Sequence, residues 1–210
     1  MARISKDPLE RKSEIIDTAE SMFIEKGYDQ TTVSDIVKNI GVAQGTFYYY
    51  FNSKEDVLNE VIERYFRNFE SMVDKICGDD ELNAQQKLQM IIDLSFDFPK
   101  GKQKMVQFLH YEKNILIHQR YSSQINALII PKVGQVLEQG ISEGLFRTGY
   151  PRETTELLLV MFGYLHDSMS LLENTEEINR KLLAAKEIVE KVLGVKTGTF
   201  KLSVKCRDLI

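Results

Sequence analysis

Hydrophobic side chains recur every three or four positions along most of the chain, which is the spacing of an amphipathic α-helix. In the first such segment the apolar positions are Ile15, Ile16, Ala19, Met22 and Phe23. No segment alternates apolar and polar residues for long enough to predict a half-buried strand, and strand-like signals are confined to residues 197–204. The pattern therefore predicts an all-α protein.

Capping residues divide this pattern into separate helices. Asp7 followed by Pro8 opens the first helix, and the pairs Thr32 with Asp35 and Ser53 with Asp56 have the spacing of capping boxes. Asn83 with Gln86 opens a fifth helix in the same way. The remaining helices are expected over 102–111, 121–143, 150–172 and 174–194, with Pro131 inside or at a kink of the second of these.

The predicted helices group into two domains and a tail. Residues 1–54 form a small N-terminal domain, and a long helix over about 53–77 connects it to a larger helical domain over 55–194. This helix has apolar positions at the three-and-four spacing over many turns, so its length suits a connection between domains. Residues 195–210 are left as a C-terminal tail.

Composition and charge are those of an ordinary globular protein. Hydrophobic residues make up 43% and charged residues 28% of the chain, and no apolar run is long enough to cross a bilayer. The first residues show no secretory signal, so a cytoplasmic location is expected. In that reducing compartment Cys77 and Cys206 are expected to be free thiols.

The net charge of −4 argues mildly against a nucleic-acid partner. Its distribution along the chain changes that picture. Residues 1–12 carry four basic and two acidic side chains, and residues 30–54 carry two basic and one acidic. A neutral-to-basic tip on an acidic body is compatible with DNA binding of modest non-specific affinity.

Residues 31–54 carry the strongest functional pattern. Two short helices are joined by a tight turn at Gly41 and Val42, which is the geometry of a helix-turn-helix whose second helix enters the major groove. On that second helix Phe47, Tyr50 and Phe51 share one face and are expected to pack inward. The opposite face is polar, compact and uncharged.

The chemistry of this polar face suits a DNA groove. Gln44 can make a bidentate contact to adenine, and Gly45 lets the backbone approach closely. Thr46 and the tyrosine hydroxyls can donate to phosphate oxygens. Lys54 opens the next helix, where the helix dipole also favours a phosphate.

Residues 6–58 closely resemble the DNA-binding domain of the tetracycline-repressor (TetR) family of regulators. The matching residues are Ile15, Ala19, Phe23, Gly27, Tyr28, Thr31, Thr32, Ile36, Gly41, Val42, Gly45, Thr46, Phe47, Tyr48, Phe51, Ser53, Lys54, Glu55 and Leu58. The resemblance implies DNA contacts from Thr32, Val33, Ser34, Gln44, Gly45, Thr46, Tyr48, Tyr49 and Lys54.

The remainder of the chain resembles that family in layout only. The resemblance implies a cavity between the C-terminal helices, and the Met-rich and aromatic side chains there favour an apolar or amphipathic effector. The candidate lining residues are Phe69, Met72, Phe96, Met105, Phe108, Tyr111, Met161, Phe162, Tyr164 and Met169.

The last two predicted helices have more apolar positions than one buried face needs. We expect them to form a four-helix bundle with a second copy of the chain, related by a two-fold axis. The candidate interface residues are Leu158, Met161, Gly163, Leu165, Leu182 and Ile188. Such a dimer would bind a near-palindromic double-stranded operator.

The function expected from the sequence is therefore a ligand-responsive DNA-binding transcriptional regulator, most commonly a repressor in this family. Three alternatives stay open: an activator, a DNA-binding protein without an effector, and a helical enzyme or carrier. No enzyme motif is present, so no catalytic residue is assigned. His110, His118 and His166 lack metal-ligand spacing, so neither a metal nor a cofactor is expected.

Overall fold

In a computed structural model of the protein, the described residues are 6–96, 115–171 and 175–203, and they form eight helices. These are α1 (Pro8–Lys26), α2 (Val33–Ile40), α3 (Gln44–Tyr50), α4 (Lys54–Cys77), α5 (Ala84–Phe96), α6 (Ile115–Ser142), α7 (Pro151–Leu171) and α8 (Thr175–Val192). The all-α prediction is confirmed. The short helix predicted over 102–111 lies outside the described residues.

The capping signals mark where the helices begin. Asp7 accepts a hydrogen bond from the Leu9 amide at the start of α1 (2.8 Å). At α5 the Asn83 and Gln86 side chains each accept from the other residue's amide, at 2.9 and 3.0 Å. Pro131 lies inside α6, which begins earlier than its predicted start at 121.

The described chain divides into two compact units, and the division falls inside α4, between Asn68 and Phe69. The first unit has a closely packed apolar core from α1 to α4. Its most buried members are Ile15, Ala19, Phe23, Ile36, Phe47, Val57, Leu58, Val61 and Ile62. Burying side chains of this size stabilises by about 1.5–3 kcal/mol each before the entropy cost is counted.

The core of the second unit is built from α5 to α8 and the last part of α4. Its fully buried members include Val73, Phe96, Leu137, Phe146, Leu193 and Phe200. None of the helices in the described ranges is long and apolar enough to span a membrane.

The C-terminal segment, residues 195–203, corrects two expectations from the sequence. It contains turns rather than a strand, and it is part of the second core rather than a separate tail. Phe200 is fully buried with its ring 6.3 Å from that of Phe146, and Leu202 is 9% exposed.

The side chains of Glu190, near the end of α8, and of Gln89, on α5, hold this segment in place. The buried carboxylate of Glu190 accepts hydrogen bonds from the amides of Gly198 and Phe200, both at 3.0 Å. The amide group of Gln89 both accepts from the Lys201 amide (2.8 Å) and donates to the Lys201 carbonyl (2.9 Å). The backbone of a segment without regular structure is thereby hydrogen-bonded, as buried backbone requires.

The C-terminal end of α4 is also held by polar contacts within the second unit. The buried ammonium of Lys87 donates to the Cys77 carbonyl (2.8 Å) and to the side chain of Gln139 (3.0 Å). On α6, Lys132 makes salt bridges to Glu70 at 3.0 Å and Asp74 at 2.6 Å. A positive charge beside the last carbonyls of a helix is favourable for the helix dipole.

Candidate nucleic-acid interface

The turn between α2 and α3 sets the direction of α3. Gly41 adopts the left-handed conformation (φ 75°), which a side chain with a Cβ rarely tolerates. The Val42 amide donates back to the Val37 carbonyl (3.0 Å) and closes the end of α2. The chain therefore turns sharply between two short helices, as the helix-turn-helix pattern predicts.

The two faces of α3 differ in exposure, although Tyr50, which is predicted to pack inward with Phe47 and Phe51, is only half-buried. Phe47 is completely buried, and its ring lies 5.7 Å from that of Phe51. Gln44 and Gly45 are exposed, and Tyr48 and Tyr49 expose 52% and 77% of their surfaces. Thr46 is half-buried beside them. The exposed surface of α3 (Gln44, Gly45, Tyr48 and Tyr49), called the α3 face below, is polar, aromatic and free of charge.

At the start of α2 the predicted contact residues also serve the fold. The Thr32 hydroxyl accepts from the Asp35 amide (3.1 Å) and donates to the Asp35 carboxylate (2.8 Å). The hydrogen bonds that the Asp35 carboxylate accepts from the Thr32 hydroxyl and the Thr32 amide, with a smaller effect of Lys26 and Lys38, lower the pKa of the Asp35 carboxyl. Thr32 is exposed, whereas Val33 and Ser34 are half-buried.

The ammonium of Lys54 is already hydrogen-bonded within the first unit. It donates to the carbonyls of Tyr28 (2.6 Å) and Thr31 (2.8 Å) and lies 4.0 Å from the centre of the Tyr28 ring. Burial lowers the pKa of this ammonium, and the charge of Asp29 opposes the effect. Lys54 thus fixes the loop before α2, and a contact from its remaining N–H to DNA stays a prediction.

Most other cations of the first unit are also paired within it. Lys6 and Arg11 contact Glu14, and Lys12 contacts Glu60 at 2.6 Å. Arg64 binds both Asp17 and Glu20. The described cations of residues 6–12 are therefore paired with carboxylates of α1 and α4.

The candidate pocket residues in the described ranges occupy different environments of the second unit. Phe96 is buried, with its ring 5.7 Å from that of Phe162 and 5.2 Å from that of His166. Phe69, Met161, Phe162 and Met169 pack half-buried against the core. Met72 and Tyr164 are exposed by 48% and 60%. Met105, Phe108 and Tyr111 lie outside the described residues.

One surface groove of the second unit lies away from these residues. It encloses about 300 Å³ between α8 and the C-terminal segment. Its walls carry four charged side chains, Lys186, Glu187, Glu190 and Lys191, as well as Leu183, Val195 and Thr197. This lining is more polar than the apolar cavity that the sequence predicts.

Three of the candidate dimer residues are buried, whereas a neighbour of each along the helix is exposed. Leu158, Leu165 and Leu182 are buried in the core of their own chain, so they have no surface to offer a partner. Met161 is half-buried, while Gly163 and Ile188 are exposed. The apolar side chains that remain exposed on α7 and α8, called the α7/α8 face below, are Leu157, Val160, Tyr164, Leu183, Ile188 and Val192.

Comparison with known proteins agrees with this geometry. Residues 15–61 match the family model described as "Bacterial regulatory proteins, tetR family", and residues 101–188 match "Tetracyclin repressor-like, C-terminal domain". The first match covers α1 to α3 and the start of α4. The second lies in the larger helical part of the chain.

Individual relatives extend over most of the chain. The HTH-type transcriptional repressor KstR2 of Mycobacterium tuberculosis is 30% identical over 70% of this chain and 74% of its own length. The fatty acid metabolism regulator protein of Bacillus subtilis is 31% identical over 65% of this chain and 71% of its own length.

Solved structures share the fold. A TetR transcription regulator from Haloarcula marismortui, 19% identical, superposes with a TM-score of 0.69 over 88% of this chain and 99% of its own. The ketosteroid transcriptional regulator KstR2 of Mycobacterium tuberculosis, 24% identical, superposes with a TM-score of 0.56 over 91% of this chain and 97% of its own. With its helix-turn-helix unit, its second helical unit and these matches over both parts, the chain belongs to the TetR family of DNA-binding transcription regulators.

Proposed function

We propose that the protein is a repressor that binds a near-palindromic operator as a two-fold dimer and is released by an apolar or amphipathic effector. The observation that carries the proposal is the α3 face, an exposed and uncharged set of hydrogen-bonding side chains held by a buried core. Relatives named as repressors support the direction of regulation.

Gly45 supports close approach of DNA to α3. A Cβ built at this position meets no atom of the protein within 4 Å, so packing inside the chain does not require glycine. A glycine inside a helix costs roughly 0.5–1 kcal/mol relative to alanine. An external surface that approaches the backbone explains why the missing side chain is useful here.

The test of this function is selection of bound sequences from a random duplex library. We expect the full-length protein to enrich a near-palindrome whose half-sites lie about one helical turn apart, roughly 34–36 Å, or a multiple of it. Enrichment of no sequence would reject operator binding. Enrichment of a single unrepeated half-site would reject the two-fold arrangement.

Gly45→Ala is expected to separate stability from DNA binding. The added methyl group meets open space in the free protein, so the free energy of unfolding should rise by about 0.5–1 kcal/mol. Operator affinity should fall at least about tenfold, since the methyl group would occupy space needed by the DNA. Denaturation curves and binding isotherms measure both effects. Unchanged operator affinity would contradict close approach at this residue.

The proposed dimer rests on the α7/α8 face. Leu157, Val160 and Tyr164 follow the spacing of one helical face of α7, and Ile188 and Val192, four positions apart, are exposed apolar side chains on one side of α8. Exposed apolar side chains grouped on helix faces are typical of interaction sites in soluble proteins. On Gly163 a Cβ would meet nothing within 4 Å, which leaves room for a partner helix.

The proposed effector class rests on the half-buried Met and aromatic side chains of the second unit and on the relatives. One is named a regulator of fatty acid metabolism and another a ketosteroid regulator. Because α4 is the one described helix shared by both units, we propose that effector binding acts on operator affinity through α4. Effector binding can change that affinity only by the effector's own preference between two states.

Three probes test this effector class: a long-chain fatty acid, its coenzyme A thioester and a ketosteroid. We expect at least one of them to raise the thermal midpoint at fixed protein concentration and to weaken operator binding. At a hundredfold excess over Kd the stabilisation should be about 2.7 kcal/mol. If all three leave both quantities unchanged, the proposed effector class is wrong, while the operator-binding proposal stands.

A further inference from the structure

Two lysines of the first unit, Lys26 and Lys38, make no salt bridge in the described part of the unit. Both side chains are exposed. The cations Lys6, Arg11, Lys12, Lys54 and Arg64 are in contrast bonded to carboxylates or to backbone carbonyls of the same unit. A carboxylate beside a cation offsets its attraction for a phosphate, and the bonds of Lys54 to two carbonyls hold its ammonium within the fold.

Lys26 and Lys38 lie in the last turns of two successive helices, α1 and α2. Lys26 is in the last turn of α1, and Lys38 follows Ser34 by four positions, so Ser34 and Lys38 share one side of α2. Both lysine charges act on the carboxylate of Asp35, which is consistent with positions near it. This is the part of α2 that carries the predicted DNA contacts Thr32 to Ser34.

The negative charge of Asp35 explains why two lysines near it would help DNA binding. Its carboxylate is needed for the capping box, where it accepts from the Thr32 amide (3.1 Å) and hydroxyl (2.8 Å). A fixed negative charge at the start of α2 would nevertheless repel an approaching phosphate. Two unpaired cations beside it offset that repulsion, and no other described group of α2 or of the α3 face is positively charged.

We infer that Lys26 and Lys38 bind the phosphate backbone of the operator and supply most of the salt dependence of DNA binding. The inference rests on the proposed function of the α3 face. Base contacts from Gln44 and its neighbours would then set the sequence, while the two lysines set the position on the duplex. Each phosphate neutralised contributes about −0.9 to the slope of log affinity against log salt concentration.

The experiment compares Lys26→Gln, Lys38→Gln and the double variant with the full-length parent. The probe is the duplex that the parent selects from the random library, titrated between about 50 and 200 mM KCl. Because a dimer carries each lysine twice, one substitution should reduce the slope by about 1.8 and the double substitution by about 3.6. The selected sequence should stay the same, since phosphate contacts do not read bases.

Arg67→Gln is the matched control. Arg67 is exposed in the same unit and lies in the middle of α4, with no salt bridge among the described residues. Its substitution by glutamine removes the same charge as each lysine substitution. Its slope should match that of the parent. A double variant with the parent's slope, or a control that changes the slope equally, overturns the inference. A parent that selects no duplex rejects the proposed function itself, which is a different result.

Discussion

Phe200→Ala is expected to lower the free energy of unfolding of the second unit by about 3–5 kcal/mol. The Phe200 ring is fully buried beside Phe146, so truncation removes a large apolar contact and leaves a cavity. It also removes the largest buried side chain of the C-terminal segment. Urea denaturation at fixed protein concentration measures the change, because the proposed dimer would make apparent stability depend on concentration.

Lys201→Ala provides the control in the same segment. The Lys201 side chain is exposed, and only its backbone groups bond to Gln89, so this variant should unfold within about 0.5 kcal/mol of the parent. If Phe200→Ala unfolds like Lys201→Ala, the C-terminal segment does not contribute to the core of the second unit.

Val160→Glu is expected to convert the proposed dimer into monomers. Val160 is 65% exposed between Leu157 and Tyr164 on α7, and a two-fold axis would bring two new carboxylates into one interface. Burying unpaired charge is costly, so the dissociation constant should rise at least about 100-fold, which corresponds to roughly 2.7 kcal/mol. Operator affinity should fall with it, because two half-sites are then no longer bound together.

Gln135→Glu is the matched control for this variant. Gln135 is exposed on α6, so the substitution adds the same charge outside the α7/α8 face. It should leave both the mass in light scattering and the operator affinity unchanged. A Val160→Glu protein that remains dimeric at micromolar concentration would place the interface elsewhere on the molecule.

The helix starts and the DNA-binding unit could be predicted from the sequence because their signals are local. The Thr32–Asp35 box and the Asn83–Gln86 pair each lie within one turn, and the structure contains the hydrogen bonds that their spacing predicts. The exposed and buried faces of α3 follow in the same way from positions three and four apart. Such features depend on a few neighbouring residues.

The features that the sequence did not reveal depend on distant partners. The bonds between Gln89 and Lys201 join residues 112 positions apart, so residues 195–203 carry no local sign of their packing. Along 157–162 every residue is apolar, so helical spacing alone does not distinguish the inward from the outward positions. The carbonyl partners of Lys54, Tyr28 and Thr31, precede it by more than 20 residues, so its position at the start of α4 does not reveal that its ammonium is bonded within the unit.

Internal pairing of the cations in the first unit has a consequence for how such a regulator searches a chromosome. Non-specific attraction to DNA grows with the number of phosphates that a protein neutralises, and a genome offers about 10⁶ or more competing sites. With Lys12 and Arg64 paired to carboxylates, we expect less of the protein to be retained on bulk DNA. A larger share of the molecules should then be free to bind a specific site, so fewer copies should be needed to regulate a promoter.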